Sequence, residues 1–359
     1  KYEIISELFL ENSLQDLSTW TSKKAMRGYL NIPNLGLFST MHAYHARRFK
    51  HPKTVQLFDR YATYNGSNPY QTPATLSVIP NLEYNIGAFM PVGGMISITN
   101  SLCRLAKELG VEFRMNEKVE EIVTEGQQAV GIKTAKGIFA FDHIASNMDI
   151  RPSYKNLLPQ IQAPKKLLNQ ERSSSGIIFY WGVNRKFDAV GVHNIFFSDH
   201  YQEEFKHIFE EKTLFDDPTI YLHISSKVAT EDAPDGCENW FILINAPANE
   251  GQDWDDLVQK TKANVIQKLS KCLGIDVAPY IVAEDILDPR SIESRTSSSG
   301  GALYGNASNN KFAAFLRHPN YRSAIKNLYW VGGSVHPGGG IPLCLSSAKI
   351  AAKQFQENN

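Results

Sequence analysis

The sequence predicts an α/β fold in which a discontinuous α/β unit brackets a mixed, largely antiparallel sheet carrying helices. Three observations predict it. An amphipathic helix at 95–109 leads into short strands that run to 147. The stretch 151–290 changes texture and places aromatic residues in strand-like runs. The end of the chain returns to a short buried strand, a glycine run and a closing helix.

Taken in order, residues 1–65 read mainly as helix. Phe38, Met41, Tyr44, Phe49, Val55, Leu57, Phe58 and Tyr61 recur at loosely helical spacing, punctuated by Pro33 and Pro52. Asn65 to Pro69 is a turn, and Pro73 follows. At 95–109, Met95, Ile98, Leu102, Leu105 and Leu109 share one helix face, and Gly110 is placed to end the helix. Val111, Phe113 and Met115 alternate as a strand would. Further strands are expected at 119–123, 129–134 and 138–147, with turns at Gly126 and Lys136-Gly137. The middle region predicts strands at 176–183, 220–225 and 240–245, and helices near 199–211 and 253–273. The last strand is expected at 328–331 beside the 111–147 strands, with a helix from 342 to about 355.

Composition sets limits on function. Apolar residues make up 42% of the 359, enough for a core and roughly two domains. The 37 basic residues equal the 37 acidic ones, so no basic excess points to nucleic acid. Four cysteines are scattered without a Cys-x-x-Cys pair, which argues against a zinc site or disulfide framework and makes a reducing cytoplasm the default. No run approaches the roughly 18 to 20 apolar residues of a spanning helix. The first residue is Lys1, and the opening reads as the middle of a folded protein rather than a signal or transit peptide.

The strongest motif is LYWVGGSVHPGGGIPLCLSSAKIAA at 328–352. A buried strand runs into Gly332 and Gly333, where a ligand can approach bare backbone. Gly338, Gly339 and Gly340 then precede Ile341-Pro342, and proline suits the first turn of a helix. Glycines at a helix N-terminus favour negative charge, such as a phosphate or a reduced flavin. A glycine-rich turn without a ligand is the competing reading.

This segment resembles the C-terminal signature of bacterial-type phytoene desaturases, the FAD-dependent carotenoid desaturases of the amine-oxidase-like superfamily. GSNPYQTPATLSVIPNLEYNIGAFMPVGGM at 66–95 is similar to a second family segment. SDHYQEEFKHIF and YLHISSKVATEDAPDGCENWFILINAP, within 198–247, are similar to a third. The variant at 336–343 reads closer to hydroxycarotenoid 3,4-desaturases than to phytoene desaturases proper. The family opens with a Gly-x-Gly-x-x-Gly turn that holds the FAD pyrophosphate. That spacing does not occur here, since Gly338 and Gly340 are followed by Leu343. The resemblance therefore implies a Rossmann-like FAD-binding domain without its first βαβ unit, truncated before Lys1, and a fragment that binds FAD weakly and is inactive alone. The implied division is 1–85 as helical substrate region, 86–150 and 290–359 as the FAD-binding domain, and 151–289 as the substrate domain.

The resemblance also implies roles. Val119 would lie beside the adenine and Asn147 near the dinucleotide. Gly332 and Gly333 would face the pyrophosphate and ribityl chain, and Gly339, Gly340 and Ile341 the isoalloxazine. Pro91, Gly93 and Gly94 would line the substrate passage. The implied activity introduces C=C bonds into a long isoprenoid, with hydride transfer to flavin. An isomerase or saturase of the same superfamily, and a non-catalytic isoprenoid-binding protein, are the alternatives. The implied partner is a carotenoid in a peripheral-membrane setting on the cytoplasmic side, with self-association left open. An elongated apolar cavity is expected between the middle sheet and the 1–65 helices, opening toward Gly93-Gly94.

Other candidates are weaker. Glu83 and Asp149 lie near family segments but are not assigned as proton acceptor. The stretch Lys23, Lys24, Arg27 matches the place of a family acid–arginine pair but lacks the acid, so no catalytic residue is carried over. His42 and His45 are one helical turn apart and read as a solvated face rather than a metal site. Ser334 and His336 lack the Gly-x-Ser-x-Gly context of a hydrolase. Tyr201, Phe205, Ile208 and Phe209 read as a core-packed helix face.

Overall fold

The N-terminal segment is a series of short helices in the computed structural model, which describes residues 2–14, 17–31, 35–310, 312–313 and 317–358. Pro33 lies outside the described residues. The main helices here are α1 (Lys23–Leu30), α2 (Met41–Ala46) and α3 (Pro52–Asp59). Ser22 and Thr40 cap the first two by accepting the N–H groups of Ala25 and Ala43. Pro52 opens the third, where its missing N–H costs nothing.

Helix α4 (Ile96–Glu108) stops at Leu109, and Gly110 follows at φ +83°, as its sequence predicts. None of its residues is buried. The expected strand at 111–115 is absent. Val111, Phe113 and Met115 are exposed coil, because alternation makes a strand only where a neighbouring strand takes up its backbone groups. The chain then forms an antiparallel meander of β1 (Val119–Glu125), β2 (Gln128–Thr134) and β3 (Gly137–Ala140), turning near Gly126 and at Gly137. The short β4 (Ile144–Ser146) leaves this meander.

The middle region builds one five-stranded sheet. Its strands are β5 (Ser175–Val183), β6 (His193–Phe196), β7 (Ile220–His223), β8 (Glu238–Ala246) and β9 (Ile281–Leu287), in the order β6-β7-β8-β5-β9. Every pairing is antiparallel, and β5 lies along β8 from Ser175 opposite Ala246 to Val183 opposite Glu238. One face is dry: Ile177, Phe179 and Trp181 meet Trp240, Ile242 and Ile244, under the Val258, Val265 and Leu269 side of a long helix. That helix is α6 (Trp254–Leu273); α5 (Tyr201–Lys206) precedes β7. Burying each such side chain contributes roughly 1.5–3 kcal/mol, so this face anchors the region. The aromatic face Tyr201, Phe205, Ile208 and Phe209 is core-packed, as expected.

After α7 (Pro289–Thr296), entered through an Asp288–Ser291 capping box, the chain returns to the first unit. β10 (Leu328–Trp330) pairs in parallel with β4, Leu328 opposite Ile144 and Trp330 opposite Ser146. A second core joins Ile122, Ala129, Ile150, Tyr154 and Leu158 to Ile325, Leu328, Trp330 and Val335. Residues far apart in sequence thus share one core. The closing helix α8 (Ile341–Asn358) begins where Pro342 predicts.

Candidate functional site

The end of β10 and the start of α8 form a glycine cradle. Val331 N–H donates to Ser146 O at 2.9 Å, carrying the parallel ladder one residue past the strand. Gly332 follows at φ +103°, and its N–H donates to Ser347 Oγ on α8 at 3.1 Å. The hydroxyl of Ser347 also accepts from Asn320 Nδ2 at 2.8 Å, so helix, strand end and loop are tied at one point. A Cβ on Gly332 would come 3.6 Å from Asn147 O, and one on Gly333 3.2 Å from Gly339 Cα. On Gly339 it would fall 2.8 Å from the Tyr304 ring and 2.9 Å from Tyr304 Cα, which backbone cannot yield. Gly340, at φ +99°, has nothing within 4 Å of its Cβ position and is exposed beside exposed Ile341.

The structure therefore brings Asn147, Gly332, Gly333 and Gly339 together, with Gly340 and Ile341 at an open rim on the N-terminus of an 18-residue helix. Val119 lies elsewhere, half-buried against the second core. Gly93 and Gly94 take φ of +81° and +75° before α4. A Cβ at Gly94 would touch nothing within 4 Å, and one at Gly93 only Ser97, so neither packs on the cradle. Pro91 is half-buried in the same approach to the helix.

Behind the cradle is an apolar cavity of about 90 Å³. Ile5, Phe9, Leu14, Leu35 and Leu37 wall one side; Arg317, His336, Pro337 and Leu343 wall the other. The expected elongated cavity has a partial counterpart elsewhere: an open groove of about 1070 Å³ runs between α2–α3 (His42, Phe49, Val55, Leu57) and the middle region (Phe197, Tyr201), without reaching residues 91–94. Neither the middle sheet nor residues 91–94 line the small cavity behind the cradle. The second face of the middle sheet instead carries the half-exposed cluster Tyr180, Tyr221 and Phe241.

Two buried cationic or basic groups border the cavity. His336 Nε2 donates to Asn12 O at 2.9 Å, and burial pushes the imidazole down to about 4, so it is neutral at pH 7. The guanidinium of Arg317 donates to Tyr304 O (3.1 Å), Asn306 O (2.9 Å) and Gly333 O (3.3 Å). Burial first, and then the neighbouring Arg172, push it down to about 10, still charged at neutral pH. Bare glycine backbone, a helix N-terminus and a buried cation fit an anionic, planar cofactor.

The carboxylates near family segments are engaged. Glu83 accepts from Tyr61, and from Tyr64 Oη at 2.8 Å. Burial, then Glu83, pushes the Tyr61 phenol well up. Asp149 is ion-paired with Arg172 and accepts the Arg151 N–H at 3.0 Å. Both are held by hydrogen-bond partners away from the glycine cradle's open rim. Ser334 Oγ accepts from Ile150 N–H, a structural bond that supports no hydrolase role. Arg27 on α1 pairs with exposed Glu3. The expected solvated face of His42 and His45 is corrected too. Both Nδ1 atoms bond buried Asp59, at 2.6 and 2.7 Å, because the α2–α3 hairpin folds that carboxylate beneath them. Among the described residues no three metal-ligating side chains cluster.

Sequence reasoning missed Arg317, Asp59 and Tyr304. Arg317 follows the apolar run FAAFL, which by itself does not mark a buried cation.

Comparison with known proteins follows this geometry. The family described as flavin containing amine oxidoreductase matches residues 35–355. The whole chain is 52% identical to 73% of a 1-hydroxycarotenoid 3,4-desaturase from a Flavobacterium species. It is 33% identical over 343 residues to a 4,4'-diaponeurosporene oxygenase of Staphylococcus aureus, covering 94% of this chain and 69% of that one. A phytoene desaturase of Neurospora crassa is 31% identical over 328 residues, 87% of this chain and 55% of the relative. Among solved structures, an oxidoreductase from Methanosarcina mazei has a TM-score of 0.61 at 14% identity, covering 96% of this chain and 75% of its own. A putrescine oxidase has 0.60 at 9%, covering 99% and 73%. These structures show a shared fold.

Proposed function

The chain belongs to the family of flavin containing amine oxidoreductases, and from that premise we propose that it forms the larger part of an FAD-dependent carotenoid desaturase whose substrate is a hydroxylated carotenoid. The observation that carries this reading is the glycine cradle backed by an apolar cavity, in a chain 52% identical to a relative of that activity. Residues 86–150 and 290–359 would form the cofactor domain; 1–85 and 151–289 would form the substrate part.

Gly332, Gly333, Gly339, Gly340, Ile341 and Asn147 would hold the cofactor, Val119 would border its adenine, and Pro91, Gly93 and Gly94 would line the substrate passage. When bound, flavin supplies a hydride acceptor at N5. The chain's own residues supply the setting. Leu35, Leu37 and Leu343 keep water from the cavity, the α8 N-terminus and Arg317 favour negative charge, and neutral His336 is spent on Asn12. Removing a hydride from one carbon and a proton from its neighbour leaves a C=C bond.

Incubating the intact, FAD-loaded protein with a 1-hydroxylated carotenoid in liposomes tests this. A longer conjugated system and two electrons passed to an acceptor per new double bond are expected. Isomerisation without electron transfer would replace the desaturase reading.

We also propose peripheral membrane contact on the cytoplasmic side. No helix among the described residues is long and apolar enough to cross a bilayer. Yet Met26 and Leu30 of α1 are exposed beside Arg27 in sequence, and Phe38 is exposed next to Ser39, whose hydroxyl accepts from Arg47. Apolar side chains beside arginines suit an anionic lipid surface. Loss of liposome co-sedimentation in a Met26→Glu/Leu30→Glu variant is the expected result; unchanged binding would move the contact elsewhere.

A further inference from the structure

We propose that Arg317 is an electrostatic positioning residue for the cofactor: its guanidinium, built into the wall of the glycine cradle without a carboxylate partner, favours the negative charge that arrives with a hydride. The inference rests on the cradle being the flavin site, as proposed above, and concerns a residue that no family motif in the sequence marks.

Three observations carry it. Arg317 is 4% exposed, and its hydrogen bonds end on the carbonyls of Tyr304, Asn306 and Gly333. Carbonyl dipoles satisfy N–H groups but do not cancel a charge. No carboxylate among the described residues pairs with it. The nearby acid, Asp149, is taken by Arg172, which also donates to Ser299 O and Asn306 Oδ1. The Asp149 carboxylate thus belongs to Arg172, and Arg317, whose charged neighbour is Arg172, has none. A buried cation in this state is costly unless an anion faces it.

The second observation is placement. A Cβ on Gly338 would sit 3.3 Å from the guanidinium carbon, and Gly333 receives one of its hydrogen bonds. Arg317 therefore touches both glycine segments of the cradle. The third is the cavity beyond. Among its lining residues Arg317 is the single formal charge, since His336 is held neutral and the rest are apolar or amide and hydroxyl side chains. A polyene brings no negative charge to meet it. The reaction would: removal of a hydride from the substrate, with the neighbouring carbon's proton lost to solvent, would bring two electrons and one negative charge to a flavin held in the cradle. Stabilising that charge makes reduction more favourable.

The test compares wild type, R317Q and R317K in the intact, FAD-loaded protein. The readings are the two-electron midpoint potential and the affinity for sulfite, which adds at N5 and leaves the ring negatively charged. R317Q keeps hydrogen-bond donors but removes the charge. It is expected to bind sulfite at least tenfold more weakly and to lower the potential by about 30 mV or more, the equivalent of that tenfold change. R317K is expected to restore most of both. R317Q with wild-type potential and sulfite affinity overturns the proposal. So does R317K falling as far as R317Q, which would make Arg317 a clamp on three carbonyls. If R317Q does not fold, R317K decides: sulfite affinity and potential near wild type support the charge, and a tenfold or larger fall refutes it. A wild type that carries no flavin absorbance would instead sink the cradle reading itself.

Discussion

Helices α4 and α6 are both amphipathic, and both are legible in the sequence, yet they end in opposite places. Helix α6 lays Val258, Val265 and Leu269 on the five-stranded sheet, and Trp254 is buried at its start. Helix α4 buries nothing: Leu102 and Leu105 are each 50% exposed and Leu109 74%. The coil after α4 exposes Val111, Phe113 and Met115 in continuation. Periodicity reports that a helix has an apolar face; it does not report what covers it. The sheet and α6 form a closed unit whose partners all lie between 177 and 286. The α4 face has no partner among the described residues.

The largest effect expected from this contrast is in the closed unit. Trp240 is 1% exposed, its ring lies 5.1 Å from that of Phe187, and Nε1 donates to Glu238 Oε2 at 2.8 Å. W240A should cost about 3–5 kcal/mol through the cavity it leaves, measured by urea unfolding. A loss near zero would mean the sheet is not the stability anchor of the protein.

Two sets of buried groups should also answer pH in opposite directions. His318, at the second core, is pushed down by burial to about 3, and His336 to about 4. A depressed folded value means the native state refuses protons that the unfolded chain takes. That stability is present above the unfolded value of 6.5 and is lost as pH falls toward the folded one. The loss is about 2 kcal/mol for each histidine at roughly pH 5. Glu204 on α5 is pushed up by burial from 4.5 to about 7, and holds Thr219 through both oxygens. Its native state binds a proton that the unfolded chain releases, so its contribution is full below 4.5 and lost as pH rises through 7. E204Q should therefore be more acid-labile relative to wild type, the difference growing by about 2 kcal/mol between roughly pH 8 and 5. Parallel pH–stability curves would show that Glu204 titrates normally.

What was legible follows from what is local. The end of α4 at Gly110, the turn at Gly126 and the strand–glycine–helix run from β10 to α8 depend on neighbours in sequence, and the structure has them. That 328–331 lies beside the 111–147 strands was legible from its short apolar run between family segments; its partner β4 and the parallel direction came only with the structure. The failures are partnerships. Val111 to Met115 alternates correctly but meets no strand. The Asp59 carboxylate reaches His42 and His45 only once α2 and α3 fold into a hairpin. Arg317 carries no motif in the sequence. Its meaning lies in acceptors at 304, 306 and 333, and in the carboxylate that goes to Arg172 instead.

The smallest effect on stability should come from the open helix, and it separates two accounts of that face. If α4 is exposed in solution, replacing Leu102 and Leu105 with glutamate removes no buried contact. Stability should then change by no more than about 0.5 kcal/mol, as for other surface sites. The same variant should associate less, because a contiguous apolar strip on a helix draws another surface onto it. Sedimentation velocity of this 359-residue chain reads the association, and thermal unfolding reads the stability. The substitutions leave Gly110 and the C-terminal cap untouched, so helix content should hold. A large loss in the chain alone would mean that α4 is already covered, and that the contrast between the two helices is wrong.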